Sequence, residues 1–371
     1  MNRQYLITVP IGPGAQDWLG HTLESIAVQK PRVRIALCHA GAQDEIETVI
    51  APYRHLFAHE RHGPDAGQSA AINEGWTSAP GDVLGWLNAD DALAPDALEI
   101  VDDMLDRHPD AAAVCGQSHI LDGAGHITGL HPVVKAPDED LFRSNVISQP
   151  SCFVTRDALQ AIGYVREGLH YAMDWDLWVR LMEQGVRFAY TPDVLSSVIW
   201  SRDTKTASFG WARVKELHEV VSRRGKPLTT AKTLLGFAMH HLSEYSQVSG
   251  ALKPLNARLR HGKRGAASYW GADATAALTS LKIFHYSPEG RADLHLMFPE
   301  AGERSVSVNG APVAAEGRQE LRLPLALASG KIAQVEIGAA APASAYPLKA
   351  VTVPVEAGAG NTGTVPQASH V

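Results

Sequence analysis

Over the first two hundred residues, short apolar runs alternate with segments whose apolar positions recur every three or four residues. Period-two or continuous apolar runs predict strands, and the longer period predicts helices with one buried face. The pattern predicts strands in YLITVPI (5–11), VRIALCHA (33–40), HLFAHER (55–61) and GDVLGWLNA (81–89). It predicts helices in WLGHTLESIAVQ (18–29), EIETVIAPY (45–53), GQSAAINEGWTSA (67–79) and PDALEIVDDMLDRH (95–108). Strands that alternate with helices call for an α/β fold with a mostly parallel sheet and helices on both faces.

From Ala111 the rhythm changes. AAAVCGQSHILDGAGHITGL reads as two strands joined at DGAG, SCFVTRDALQAIG as a strand running into a helix, and DWDLWVRLMEQG as an amphipathic helix closed by Gly185. After Thr206 the chain reads as helical and basic to about Tyr269. Beyond Leu281 it reads as β-rich, with KIFHY, DLHLMF, QELRLPL, AQVEIGA, KAVTVPVEA and an Asn-Gly hairpin turn in SVSVNGAPV. The expected organisation is a domain over 1–206, a helical basic segment over 207–270, a small β-rich domain over 271–357, and a disordered tail of small polar residues over 358–371.

Composition changes this picture little. The net charge of -7 argues against a nucleic-acid partner, although residues 213–264 carry eleven Lys/Arg against three Glu. That basic stretch has two readings, a solvated helical face or a peripheral contact with anionic lipid headgroups. Cys38, Cys115 and Cys152 lack metal-ligand spacing and read as small buried residues of a reducing compartment. No apolar run reaches 18 residues and the first residues do not read as a signal peptide, so the expectation is a cytoplasmic protein without a span.

Three stretches carry candidate chemistry. In LGWLNADDALAPDAL (84–98), Asp90 and Asp91 follow an apolar run, at the end of a strand where α/β sheets bind ligands. The two like charges repel unless something positive joins them. They serve a helix start, or they hold Mg²⁺ or Mn²⁺ beside substrate phosphates. Pro95 reads as the first helical residue and Ala94 as its cap, which leaves both aspartates upstream. In DAGQSAAINEG (65–75), Asp65 and Gln68 have capping-box spacing, and the same helix terminus suits a phosphate. In HYAMDWDLWVRL (170–181), Asp174 is a helix cap or a general base facing a cleft. VPIGPGAQ (9–16) reads as a turn without a dinucleotide fingerprint.

Taken together, residues 5–206 resemble the family-2 inverting glycosyltransferases, through DAGQSAAINEGWTSAPGDVLGWLNADDAL, SQPSCFVTRDALQAIG and YAMDWDLWVRL in that order. The resemblance implies a GT-A-like nucleotide-sugar-binding domain. It implies Asp91, with Asp90 beside it, as ligands of Mn²⁺ or Mg²⁺, and Asp174 as catalytic base. It implies donor binding by Pro10, His39, Asp65, Gln68, Asn73, Asn88, Asp90 and Lys205. The donor would be a nucleoside-diphosphate sugar, a UDP-sugar first, and the acceptor a glycan or a lipid-linked glycan in surface polysaccharide or glycoconjugate synthesis, with a homo-oligomer as a further expectation. Four positions depart from the family pattern: His39 and Asn88 stand where relatives often have Asp, Met173 where Glu is frequent, and Ser201 near a metal-binding His. His39, Asn88 and Met173 leave a second reading, a non-catalytic sugar-binding or assembly protein on a decayed transferase domain.

Overall fold

The computed structural model describes residues 3–14, 17–121, 127–131, 141–142, 145–199, 210–223 and 226–245. In the C-terminal region it describes 280–287, 291–297, 304–308, 310–314, 320–326, 331–339 and 349–354. The chain order begins β1 (Gln4–Ile11), α1 (Leu19–Ala27), β2 (Arg32–His39), α2 (Glu47–Ile50), β3 (Phe57–His62), α3 (Gln68–Ser78), β4 (Val83–Trp86) and β5 (Ala92–Leu93). It continues α4 (Ala97–Arg107), β6 (Ala111–Leu121), β7 (Ile127–His131), β8 (Cys152–Thr155), α5 (Arg156–Ala161), α6 (Met173–Glu183) and β9 (Arg187–Ile199). Helices α7 (Trp211–Ser222) and α8 (Pro227–Tyr245) follow. The strands β10 (Ser280–Ser287), β11 (Arg291–Met297), β12 (Arg304–Val308), β13 (Ala311–Val313), β14 (Glu320–Ala326), β15 (Lys331–Ala339) and β16 (Lys349–Pro354) come last, in one sheet of four and one of three.

The main sheet runs β3-β2-β1-β4-β8-β6-β9-β5, with β7 on β6. Its longer registers are parallel, β1 with β2, β1 with β4, β2 with β3, and β6 with β9. The sheet is nonetheless mixed: β8 inserts antiparallel between β4 and β6, and β5 and β7 pair antiparallel at β9 and β6.

Strand β1 shows why the first apolar run is continuous. Tyr5, Ile7, Val9 and Ile11 belong to one buried cluster with Leu19, Leu23 and Ile26 of α1 and Leu98, Val101 and Leu105 of α4. Leu6 belongs to a second cluster with Ile72 and Trp76 of α3 and most of α6. A strand covered on both faces has no solvent side to write in polar residues. Pro10 lies beyond the last β1–β4 pair, Thr8 with Trp86, so on that side its missing N–H removes no ladder bond. Helix α3 approaches β1 so closely that a Cβ on Gly75 would lie 2.4 Å from Thr8 Oγ1.

Several expectations give way to tertiary structure. The helix expected over 45–53 shrinks to Glu47–Ile50 between 3-10 turns, because Pro52 cannot donate to the carbonyl four residues back. Helix α4 begins at Ala97 with Asp96 at its N-cap, two residues later than Pro95 suggests. Strand β9 is absent from the apolar pattern, since Thr191-Pro192-Asp193 interrupts its run; the β6–β9 register shifts opposite that interruption. The break is housed at Gly116, where a Cβ would meet Leu195 Cγ at 2.3 Å. The tail over 358–371 lies outside the described residues.

A Gly75→Val substitution is expected to lower unfolding stability by about 1–3 kcal/mol through overpacking against Thr8. Urea denaturation followed by circular dichroism checks this, and an unchanged midpoint would mean that α3 can retreat from β1.

Candidate functional site at the carboxyl ends of the parallel strands

The acidic motif forms where β4 leaves the sheet. Leu87 N–H still bonds Thr8 O at 3.0 Å; a tight turn then closes with Asp91 N–H on Asn88 O at 3.1 Å. The Asn88 side chain uses both ends of its amide. Its Oδ1 accepts from Gln68 Nε2 at 2.6 Å, and its Nδ2 donates to Asp91 Oδ2 at 2.9 Å and more weakly to Gln149 Oε1 at 3.5 Å. Gln149 Nε2 in turn donates to Trp86 O at 2.7 Å. Asp91 is buried, Asp90 half-buried, and no lysine or arginine among the described residues bonds either. Burial, with Asp90 beside it, raises the Asp91 carboxyl well above the usual range, and burial raises Asp90 too. Neither aspartate caps α4, which starts six residues after Asp91 with Asp96 in the cap position.

Asp174 lies in the first turn of α6. Its Oδ1 accepts Trp175 N–H at 2.7 Å and its Oδ2 accepts Asn145 Nδ2 at 2.8 Å. Burial raises its carboxyl, and the two hydrogen bonds and the charge of Arg213 only partly offset this. The α6 terminus has another acceptor. Glu216 of α7 takes the N–H groups of His170, Tyr171 and Ala172 at 3.0, 2.6 and 2.9 Å. Asp176 is anchored instead by charge. It is fully buried and meets Arg180 Nε at 2.7 Å, Arg166 at 3.1 Å and Arg223 at 3.7 Å.

The remaining expected residues line the ends of β1 to β3 and the start of α3. His39 is buried, with Nδ1 3.3 Å from His62 Nδ1 and Nε2 3.4 Å from Glu45. Burial and His62 lower its pKa, so the ring is neutral at physiological pH. Asp65 accepts Gly67 N–H at 2.8 Å in an Asx turn and receives Arg61 at 3.0 Å. The capping box is therefore not made: Gly67, at φ +107°, occupies the N-cap, and Gln68 reaches Asn88. Asn73 holds the segment after α5 by donating to Val165 O at 2.8 Å and accepting Val165 N–H at 3.0 Å. Cys38, His59 and Glu74 also converge, yet Arg61 donates to both Glu74 oxygens there, so a guanidinium already supplies the positive charge. Lys205 and Ser201 lie outside the described residues.

Residues 14–159 match the model of glycosyl transferase family 2. This stretch is a family-2 glycosyltransferase domain. The chain is 32% identical over 164 residues to an O-antigen biosynthesis protein of Myxococcus xanthus, covering 42% of this chain and 13% of that protein. It is 24% identical over 213 residues to an uncharacterized glycosyltransferase of Rickettsia prowazekii, covering 54% of this chain and 66% of the relative. The chain thus spans less than two thirds of either relative. Among solved structures, S. aureus TarS 1-349 in complex with UDP-GlcNAc aligns at 14% identity and TM-score 0.49, over 74% of this chain and 84% of that one. The mannosyltransferase PcManGT from Pyrobaculum calidifontis, in complex with GDP-Man and Mn²⁺, aligns at 15% identity and TM-score 0.45, over 70% and 81%.

Within and beside the family-2 domain, three residues of the site carry no local signal in the sequence: Asn145, Gln149 and Glu216. Asn145 and Gln149 sit on one short segment whose two ends hold Asp174 and the Asn88 turn. SQPS is visible as a motif but gives no sign of which side chain faces inward. Glu216 is hidden in a basic stretch. Three tryptophans tie these parts from below: Trp86 stacks on Trp178 of α6 with ring centres 5.9 Å apart and meets Trp76 of α3 edge-on at 5.4 Å.

The raised Asp91 carboxyl makes a signed prediction. The folded protein binds the extra proton, so this contribution to stability is fully present below the ordinary value of 3.8 and is lost as pH rises through the raised one. With EDTA at pH 7.5, Asp91→Asn is therefore expected to melt a few degrees above the parent. The gap should close as the pH falls below 3.8, where the parent carboxyl is protonated in both states. Equal melting temperatures at pH 7.5 would mean that the carboxylate is solvated after all.

Proposed function

We propose that the chain transfers a sugar, with inversion, from a nucleoside-diphosphate sugar to a hydroxyl of a glycan or lipid-linked acceptor. The observation that carries this reading is the pair Asp91 and Asp174, two carboxylates raised by burial in and beside a family-2 domain. Each accepts hydrogen bonds from N–H donors only, and among the described residues no ion pair neutralises either.

The donor set at 88–91 fits a hard divalent cation. It offers carboxylate oxygens, and Asp91 lies buried beside Asp90 with no cationic side chain among the described residues to neutralise the pair. Asp91 and Asp90 would hold Mn²⁺ or Mg²⁺, which when bound stabilises negative charge on the departing diphosphate. Asn88 at the family's usual Asp position lowers the local charge by one, and its amide bridges Gln68 to Asp91 without adding repulsion. Pro10, His39 and Gln68 would meet the donor, and Asp65 and Asn73 would act through the loops they hold. Lys205 completes the proposed donor set. A UDP-sugar is the first donor to test, as the family resemblance implies.

Asp174 is the general base. Burial lifts its carboxyl toward the working pH, which favours proton acceptance from an attacking hydroxyl. Asn145 fixes the orientation of one carboxylate oxygen. Removal of the proton lets the acceptor oxygen attack the anomeric carbon as the diphosphate leaves on the opposite side, so a single displacement inverts the configuration. The O-antigen biosynthesis relative makes surface polysaccharide the first acceptor class to try.

Asp174→Asn is expected to lower transfer by 10²–10⁴-fold, about 3–5 kcal/mol of barrier, while donor affinity stays within a factor of a few. Ala172, not Asp174, is the N-cap of α6, and Asn keeps an Oδ1 acceptor for the Trp175 N–H, so a purely structural Asp174 would leave turnover near the parent. Turnover and calorimetric donor titrations, run over a panel of nucleotide sugars with Mn²⁺, Mg²⁺ or EDTA, measure both. Donor binding that ignores EDTA would remove the cation from this reading, and near-parent turnover in the variant would remove Asp174 and favour the non-catalytic alternative.

A further inference from the structure

Among the described residues, the exposed large apolar side chains are Trp211, Leu228 and Leu235, at 82%, 73% and 57% exposure, and all three belong to the hairpin of α7 and α8. They fall in register with lysines. On α7, Trp211, Lys215, His218 and Ser222 succeed one another at steps of four, three and four residues, which keeps them on one face. On α8, Leu228, Lys232 and Leu235 do the same. The opposite faces are accounted for: Leu217, Val220 and Val221 of α7 are buried in the second core cluster, and Thr230 and Thr233 of α8 are buried too.

Between the two exposed faces runs an open groove of about 290 Å³, walled by Pro227, Ala231 and Leu234 on one side and His218 and Ser222 on the other, with Lys226 at its edge. Lys215, Lys226 and Lys232 are exposed and make no ion pair among the described residues. The acids of α7 face elsewhere or are neutralised: Glu216 is held by the α6 amides, and Glu219 by Arg166 at 2.6 Å. None of the described helices is long and apolar enough to cross a membrane. Apolar side chains that stand clear of the fold, ringed by unpaired ammonium groups, match a bilayer interface: the indole and leucines enter below the headgroups while the lysines meet lipid phosphates.

We propose that the α7–α8 hairpin is a docking surface for an anionic lipid bilayer, on which the chain lies without spanning. The assignment stands on exposure and charge alone and does not depend on the transfer reaction. It has a geometric corollary, because Glu216, on the same helix as Trp211 and Lys215, holds the N-terminus of α6 two residues before Asp174. A bound membrane would thus rest on the helix that supplies the acceptor for these α6 amides.

The test is co-sedimentation of the full chain with vesicles of phosphatidylcholine alone or with phosphatidylglycerol at about a third of the lipid. Binding is expected only with phosphatidylglycerol, and about 0.5 M salt should release it. The Leu228→Glu/Leu235→Glu variant should lose at least tenfold in partitioning. Replacement of Lys215, Lys226 and Lys232 by Gln should cost about fivefold per lysine. Circular dichroism shows whether each variant is folded, and the lysine variant, which alters only exposed side chains, keeps the test decisive if the leucine variant misfolds. Absence of binding to phosphatidylglycerol vesicles would overturn the proposal. So would equal binding by the parent and the lysine variant, which would place the lipid contact elsewhere in the basic stretch. Self-association that the leucine variant abolishes, without vesicle binding by the parent, would make the face a contact between copies and overturn it as well.

Discussion

A carboxylate buried without a cationic side chain beside it is the constraint around which this molecule is arranged. Asp91 is taken out of water at the end of β4, beside a second aspartate, with one amide as its side-chain partner. Nothing among the described residues compensates that charge in full, so the surroundings must hold the turn in place against it. They do so with neutral donors. Gln68 from the start of α3 and Gln149 from the segment before β8 both meet Asn88, which passes a hydrogen bond to Asp91. Beneath them, Trp76, Trp86 and Trp178 fill the space between α3, β4 and α6. Packing and amide bonds hold the site open to positive charge, and neither adds charge of its own.

Helix α6 resolves a related problem by rotation. Asp174 and Asp176 are two residues apart and project about 200° apart around the helix axis. One meets an asparagine amide and remains hard to ionise; the other meets three arginines. The arginines do more than balance charge, since Arg180 also donates to Ile162 O and Tyr164 O and so fastens the loop after α5 to the helix. A buried ion pair of this kind is costly to break from one side, because the partners are left uncompensated. The two acids of DWD therefore divide into one that anchors and one that stays available.

How much of this is legible without the fold depends on the range of the interactions involved. The apolar run of β1 and the three-to-four periodicities of α3, α4 and α6 are local, and they read correctly. The acidic turn is also legible, because strand, break and carboxylates follow one another within a few residues. What escapes needs distant partners. Strand β9 is broken at Pro192, and only its pairing with β6, bent at Gly116, makes it one element. The helix expected after Glu45 has the right periodicity, but Pro52 cuts it short. Gln68 has capping-box spacing from Asp65, yet a residue twenty positions on claims its amide. Asn145 lies 29 positions from its partner and Glu216 between 44 and 46 from its own, and no local pattern marks them.

Glu216 carries a consequence for where this chain can be divided. The family-2 match stops at residue 159, and the recognisable motifs end soon after Asp176, which invites a cut near 206. Such a cut would remove the acceptor of three consecutive backbone amides at the head of α6 and, with Arg223, one of the guanidinium groups facing Asp176. It would also strip Leu217, Val220 and Val221 from the core. The helix that bears Asp174 is thus finished by residues that no family motif covers. The contacts that finish α6 run through Arg223, well beyond residue 159 where the family match ends.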